Sequence, residues 1–204
     1  MMKALIICAG DDNDSEVLKE YAKNSDYIIC ADGGYNIALN AGIVPDLVIG
    51  DFDSCSNYVD KGEKIVLPCE KDETDTQYSV RYAIKKGADE IVIYGAFGGR
   101  LDHTYANIAL LSECLENKVS AVATDGKTFC KMVDSKIKLN GKKGDFISVF
   151  SFSDISRNVS IKGLKYEIDN CNLKKSDIFG ISNEFLDSEA EITVEEGKLL
   201  IICN

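Results

Sequence analysis

The amino-acid sequence predicts an α/β protein: a domain built on a parallel sheet, followed by a smaller all-β sandwich domain. Three observations lead there. Over the first 125 residues short apolar runs alternate with segments of helical period. Those runs are continuously apolar, as in a sheet covered on both faces. Beyond Thr124-Asp125-Gly126-Lys127 the pattern becomes short alternating runs joined by turns, with no long helix.

In chain order, strands are expected at residues 3–8, 27–31, 47–49, 64–67, 91–94 and 119–123, with helices at 16–23, 35–41, 75–86 and 102–116. The helix at 75–86 has the clearest limits. Thr74 and Gln77 fit a capping box, Val80, Ala83 and Ile84 share a face, and Gly87 follows Lys85-Lys86. The second half reads as antiparallel strands at 129–133, 136–139, 146–150, 159–161, 192–194 and 199–203. The domains are therefore placed at 1–125 and 126–204.

Composition excludes several classes. The longest apolar runs are far short of the ~20 residues that a bilayer-spanning helix needs, so no membrane partner is expected. The N-terminal run after Lys3 is too short for a signal peptide and acidic residues follow it, so it reads as a first strand in a cytoplasmic protein. A net charge of -11 repels a phosphate backbone and excludes nucleic acid as a partner. Eight cysteines without a CxxC pair, and a single His, argue against structural zinc. Several of them lie in apolar strands and read as buried free thiols of a reducing compartment.

Four polar turns, each just after a predicted strand, carry the chemistry; in open α/β sheets that edge is where ligands bind. In Ala31-Asp32-Gly33-Gly34 the glycines allow close backbone approach and a helix start offers N–H groups to a phosphate, although such a turn also serves structure alone. In Gly50-Asp51-Phe52-Asp53-Ser54 two carboxylates two residues apart project to one side, as a Mg²⁺ site requires and as a polar strand-end turn also provides. Glu70-Lys71-Asp72-Glu73-Thr74-Asp75 places four acids and a Lys at a helix start, more than the helix dipole alone calls for. Asp72 and Asp75 can face a metal or a hydroxyl, and Lys71 a phosphate oxygen. Gly95-Ala96-Phe97-Gly98-Gly99-Arg100-Leu101-Asp102-His103 joins a glycine turn, an Arg and a helix start into a polyphosphate cradle. His103 and Asn107 share a helix face, where His103 is either a ligand contact or a structural residue. Together the four turns imply a magnesium-polyphosphate site. GxxxxGK[ST] is absent, so the chain is not a Walker P-loop protein.

In order and spacing these turns, with Asn107, resemble the thiamine pyrophosphokinase family. The likeness continues through Ile161-Lys162-Gly163-Leu164-Lys165-Tyr166 and Gly180-Ile181-Ser182-Asn183-Glu184, so it spans nearly the whole chain. The resemblance implies pyrophosphoryl transfer from ATP to the hydroxyethyl oxygen of thiamine, giving thiamine diphosphate and AMP. It also implies an α/β domain for ATP and Mg²⁺, a β-sandwich domain for thiamine and dimerisation, and a homodimer with active sites at the subunit interface.

By the same resemblance Asp51, Asp53 and Asp75 would hold Mg²⁺. Asp75 and Asp102 would complete the catalytic centre as further ligands or by orienting the hydroxyl. Asp32, Gly33, Gly34, Lys71, Asp72, Arg100, His103 and Asn107 would lie near ATP, and Ser182, Asn183 and Tyr166 near thiamine. Relatives use a Trp against thiamine and this chain has none, which leaves Tyr166 or Phe185 to stack, or both to be core. A pterin pyrophosphokinase and a thiamine-binding regulator without turnover are the rival readings.

Overall fold

Strand β1 (Lys3–Ile7) carries the run Ala4-Leu5-Ile6-Ile7, whose side chains are all inaccessible to solvent. A strand apolar at every position must be covered on both faces, so it belongs inside a sheet. In this computed structural model, which describes residues 1–11, 14–51, 62–68, 70 and 72–204, it does. Helix α1 (Ser15–Lys23) follows, capped by the Asp14 carboxylate, which accepts from the Glu16 and Val17 N–H groups. Next come β2 (Tyr27–Ala31), α2 (Gly34–Asn40), β3 (Leu47–Gly50), β4 (Glu63–Val66), α3 (Asp75–Lys86), β5 (Glu90–Tyr94), α4 (Leu101–Glu116) and β6 (Ser120–Thr124). These six strands are parallel, in the order β6-β5-β1-β2-β3-β4.

Alternate residues of the sheet supply its two faces. Leu5, Ile7, Cys30, Val48 and Val92 pack with Leu18 of α1 and with Tyr35 and Ala38 of α2. Helix α3 packs against β1, β2 and β3 through the buried Val80 and Ala83. The predicted capping box at its start is half formed. The Thr74 hydroxyl accepts the Gln77 N–H at 3.1 Å, but the Gln77 side chain does not return to Thr74. It reaches Glu113 of α4, which together with Glu73 also binds Arg81.

Strand order runs from β1 through β2 and β3 to β4 on one side, and resumes with β5 on the other side of β1. That reversal leaves a crevice beyond the carboxyl ends of β1, β2 and β5.

The chain divides into two units, Met1–Lys127 and Thr128–Asn204. The second contains β7 (Phe129–Val133), β8 (Ile137–Asn140), β9 (Phe146–Ser151), β10 (Ile155–Lys162), β11 (Ile168–Lys174), β12 (Asn183–Glu184), β13 (Glu189–Thr193) and β14 (Leu199–Cys203). Antiparallel order β12-β9-β14-β7 and antiparallel order β11-β10-β13-β8 enclose a core that includes Ile147, Val149, Val159, Ile161, Ile192 and Ile201. Both layers of the predicted α/β plus all-β architecture are thus present.

Strand β10 is longer than the predicted 159–161, because register shifts on either side of Val159, with Asn158 at φ 51°, break the alternation of apolar residues. Among the described residues no helix is long and apolar enough to cross a membrane. Five of the six described cysteines are buried free thiols, and Cys171 is exposed.

Candidate active site

The crevice at the sheet reversal is a cavity of about 300 Å³. Three polar turns and one helix start form its walls: Cys8 to Asp11 after β1, Ala31 and Asp32 after β2, Thr74 to Thr76 at the start of α3, and Gly95 to Arg100 after β5. His103 and Asn107 of α4 also line it.

Asp32 is placed by backbone pairing. Its N–H donates to the Ile49 carbonyl at 2.8 Å, its φ is 46°, and one carboxylate oxygen is shielded from solvent. Positive φ outside glycine is uncommon and is tolerated best by Asp and Asn. A Cβ at Gly50 would meet the Asp32 Cα at 3.1 Å, so the two strand ends lie in close contact and Asp51 follows immediately. Asp75, first residue of α3, brings a second carboxylate into the cavity at the positive end of that helix.

The glycine turn after β5 has Gly98 and Gly99 at φ 108° and 54°, conformations that L side chains rarely adopt. Asn107 fixes it from below: its buried amide donates to the Ala96 carbonyl at 2.9 Å. Asn107 therefore braces the cradle and also lines the cavity, where the family resemblance implies an ATP contact. At the rim Arg100 makes a two-bond pair with Asp102, at 3.2 and 2.5 Å. That hydrogen bonding to Arg100 holds the Asp102 carboxyl down to about 2. The pair holds the Arg100 guanidinium and the Asp102 carboxylate together at the start of α4.

Of the other expected residues, Asp51, Asp72, Asp102, Gly33 and Gly34 are outside the described lining of this cavity. Asp53 and Lys71 lie outside the described residues. Gly34 is required for packing, since a Cβ there would stand 1.9 Å from the Ile7 carbonyl oxygen. The predicted set omits Asp11, whose carboxylate lies 3.0 Å from where a Cβ on Gly99 would stand. Cys8-Ala9-Gly10-Asp11 is itself a glycine-bearing polar turn after a strand, so the same rule would have found it.

The donor chemistry suits a hard cation carried with phosphates. Asp32 and Asp75 offer carboxylate oxygens, while burial pushes the Cys8 thiol up to about 11 and keeps it protonated. Among the described residues no group of three or more His, Cys, Asp or Glu converges on one point. Mg²⁺ does not require one, because it takes one or two carboxylates and completes its shell with water and substrate phosphates.

In the second unit, the Asn183 side chain is buried and bonded to the backbone of Tyr166 at both its N–H and its carbonyl. Ser182 stands at φ 56°, its N–H donating to the Ser148 hydroxyl. Tyr166 is 62% exposed and Phe185 3%, so only Tyr166 is available to stack on a ligand.

A family model described as thiamin pyrophosphokinase, catalytic domain, matches residues 18–123, more than half of the chain. The chain belongs to the thiamine pyrophosphokinase family. A second model, thiamin pyrophosphokinase, vitamin B1 binding domain, matches residues 134–199. The two matches fall within the first and second units respectively.

Thiamine pyrophosphokinase of Bacillus subtilis is 30% identical, over 97% of this chain and 96% of its own. Thiamin pyrophosphokinase 1 of Caenorhabditis elegans is 27% identical, over 80% and 73%. The crystal structure of thiamine pyrophosphokinase from Bacillus subtilis superposes with a TM-score of 0.89 at 26% identity, covering 99% of this chain and 98% of that one. Thiamin pyrophosphokinase from Candida albicans, at 19% identity and a TM-score of 0.81 over 99% and 88%, shares the fold. The chain is thus an enzyme of the thiamine pyrophosphokinase family, a transferase of the kinase type.

Proposed function

We propose that the protein transfers a pyrophosphoryl group from ATP to the hydroxyethyl oxygen of thiamine, giving thiamine diphosphate and AMP with Mg²⁺ as cofactor. The observation that carries this reading is the cavity at the sheet reversal, where Asp32, Asp75 and Arg100 meet a glycine cradle. Phosphoryl-type transfer needs positioning and charge neutralisation more than covalent chemistry. Arg100 supplies a guanidinium for phosphate oxygens, Asp102 pairs with it, and Asn107 holds the cradle in shape. His103 lines the same cavity, and Lys71 and Asp72 would add contacts to ATP. Asp51, Asp53 and Asp75 would hold Mg²⁺, which when bound neutralises phosphate charge and acts as a Lewis acid. Asp75 or Asp102 orients the thiamine hydroxyl, while Ser182, Asn183 and Tyr166 form the thiamine end. Carboxylates also suit the permanent positive charge of the thiazolium ring.

Only the product nucleotide separates the two possible transfers. Attack on the terminal phosphorus leaves ADP and thiamine monophosphate, whereas attack on the middle phosphorus leaves AMP and thiamine diphosphate. Incubation with ATP, Mg²⁺ and thiamine, followed by separation of nucleotides and thiamine phosphates, is expected to give one AMP per thiamine consumed. ADP would refute the pyrophosphoryl step, and preference for a hydroxymethylpterin would refute the acceptor.

The proposed assembly is a homodimer. Its support is a run of exposed apolar side chains beside Ser182, with Ile178 73%, Phe179 66% and Ile181 59% exposed. Apolar clusters of this kind mark interaction surfaces. Light scattering at assay concentration is expected to give twice the 22.4 kDa chain mass. A fully active monomer would remove this part of the proposal.

A further inference from the structure

The hydrogen bonds around Asn183 assign it a task different from direct contact with substrate. We infer that Asn183 is a positioning residue that acts through Tyr166, a step that rests on the thiamine reading of Tyr166 above.

Tyr166 lies between β10 and β11, outside both strands, so its backbone lacks ladder partners there. Asn183 replaces them. Its Oδ1 accepts the Tyr166 N–H at 2.9 Å and its Nδ2 donates to the Tyr166 carbonyl at 2.8 Å. The pair of bonds imitates one rung of an antiparallel sheet, made by a side-chain amide with its own donor and acceptor. Oδ1 also accepts the Glu184 N–H at 3.0 Å, which limits rotation of the amide. Asn183 is 5% exposed, so little of it is available to a ligand, whereas the ring whose backbone it grips is 62% exposed.

Neighbouring contacts fix the rest of the segment and leave the Tyr166 backbone to Asn183, while the Lys165 ammonium lies 5.6 Å from the centre of the Tyr166 ring. Leu164 bridges Phe185, the Lys165 N–H donates to the Glu184 carbonyl, and the Lys165 ammonium pairs with Glu184 at 2.9 Å. Loss of the Asn183 amide therefore frees the Tyr166 backbone and lets the ring wander, while the segment before it stays docked. An aromatic platform held in one orientation binds a flat cation-bearing ligand without first losing conformational freedom.

A double-mutant cycle tests the inference. Asn183→Ala is expected to raise the KM for thiamine by about tenfold, as loss of its two hydrogen bonds to Tyr166 would, with kcat and the KM for ATP nearly unchanged. Tyr166→Ala raises the same KM, and adding Asn183→Ala to Tyr166→Ala raises it no further. If the two effects multiply, Asn183 touches thiamine on its own account and the inference is overturned. If Tyr166→Ala leaves the KM for thiamine unchanged, the stacking reading itself falls and the inference with it.

Since the chain contains no Trp, Tyr166→Trp installs a single tryptophan, excited apart from the tyrosines, that reports on folding and on ring order at once. In that background the parental Asn183 is expected to give high fluorescence anisotropy and strong thiamine quenching. Asn183→Ala loses both while still folded, with a melting temperature a few degrees below the parent. Equal anisotropy in the two variants would overturn the positioning role by a measurement independent of turnover.

Discussion

Asp51→Asn is expected to lower turnover by about 10²–10³-fold, the cost typical of removing one preorganised charged or polar group from such a site, and Asp53→Asn to do the same. The substitution keeps size and shape and removes one negative charge. Asp51 directly follows Gly50, whose strand end abuts Asp32, so the change falls where the parallel register collects carboxylates. Asp51 is half-buried at a strand end and the exchange is isosteric, so the melting temperature of Asp51→Asn should stay within a few degrees of the parent. Raising Mg²⁺ should recover part of the loss, because weaker binding by the amide is offset by mass action. Near-parental rates at limiting Mg²⁺ in both variants would refute the metal assignment while leaving the cavity as the ATP site.

Much of the first unit was legible because its physics is local. Continuous apolar runs such as Ala4 to Ile7 admit few structures other than a buried parallel strand, and Thr74 with Gly87 marks both ends of α3 by capping chemistry that acts within a few residues. Strand β11 was not legible. Only Leu173 of its seven residues is buried, so Ile168-Asp169-Asn170-Cys171-Asn172-Leu173-Lys174 has no apolar period to detect. It is a strand because β10 offers it a ladder.

The site divides the same way. Asp32, Asp75 and Arg100 could be read from polar turns that follow strands. The partners of individual side chains could not: the Asn107 amide on the Ala96 carbonyl, the exposure of Tyr166 against the burial of Phe185, and the Arg100–Asp102 pair. In each case the residue type is legible in the sequence and its surroundings are not.

The Asp32-Gly33-Gly34 turn shows how far that distinction reaches, and it supports an expected result of comparable size on stability. Gly34→Ala should destabilise the protein by about 3 kcal/mol or more, the upper range for overpacking, and lower its melting temperature by about 10 °C for a chain of this size. A methyl at Gly34 would stand 1.9 Å from the Ile7 carbonyl oxygen and 2.6 Å from its carbon. Those atoms belong to β1, the central strand, so relief requires α2 to lift from the sheet and to uncover Tyr35 and Ala38. Alanine is favoured over glycine in a helix by about 1 kcal/mol, which the clash must first exceed, and backbone contacts this short do exceed it. Gly33→Ala is the matched control: its new methyl meets only the Ala9 Cβ, at 3.0 Å. Gly33→Ala should therefore melt close to the parent, with any defect confined to the KM for ATP. Thermal unfolding of the two variants side by side separates a glycine needed for packing from one available to a ligand. A Gly34→Ala protein as stable as the parent would show that α2 does not approach β1 this closely.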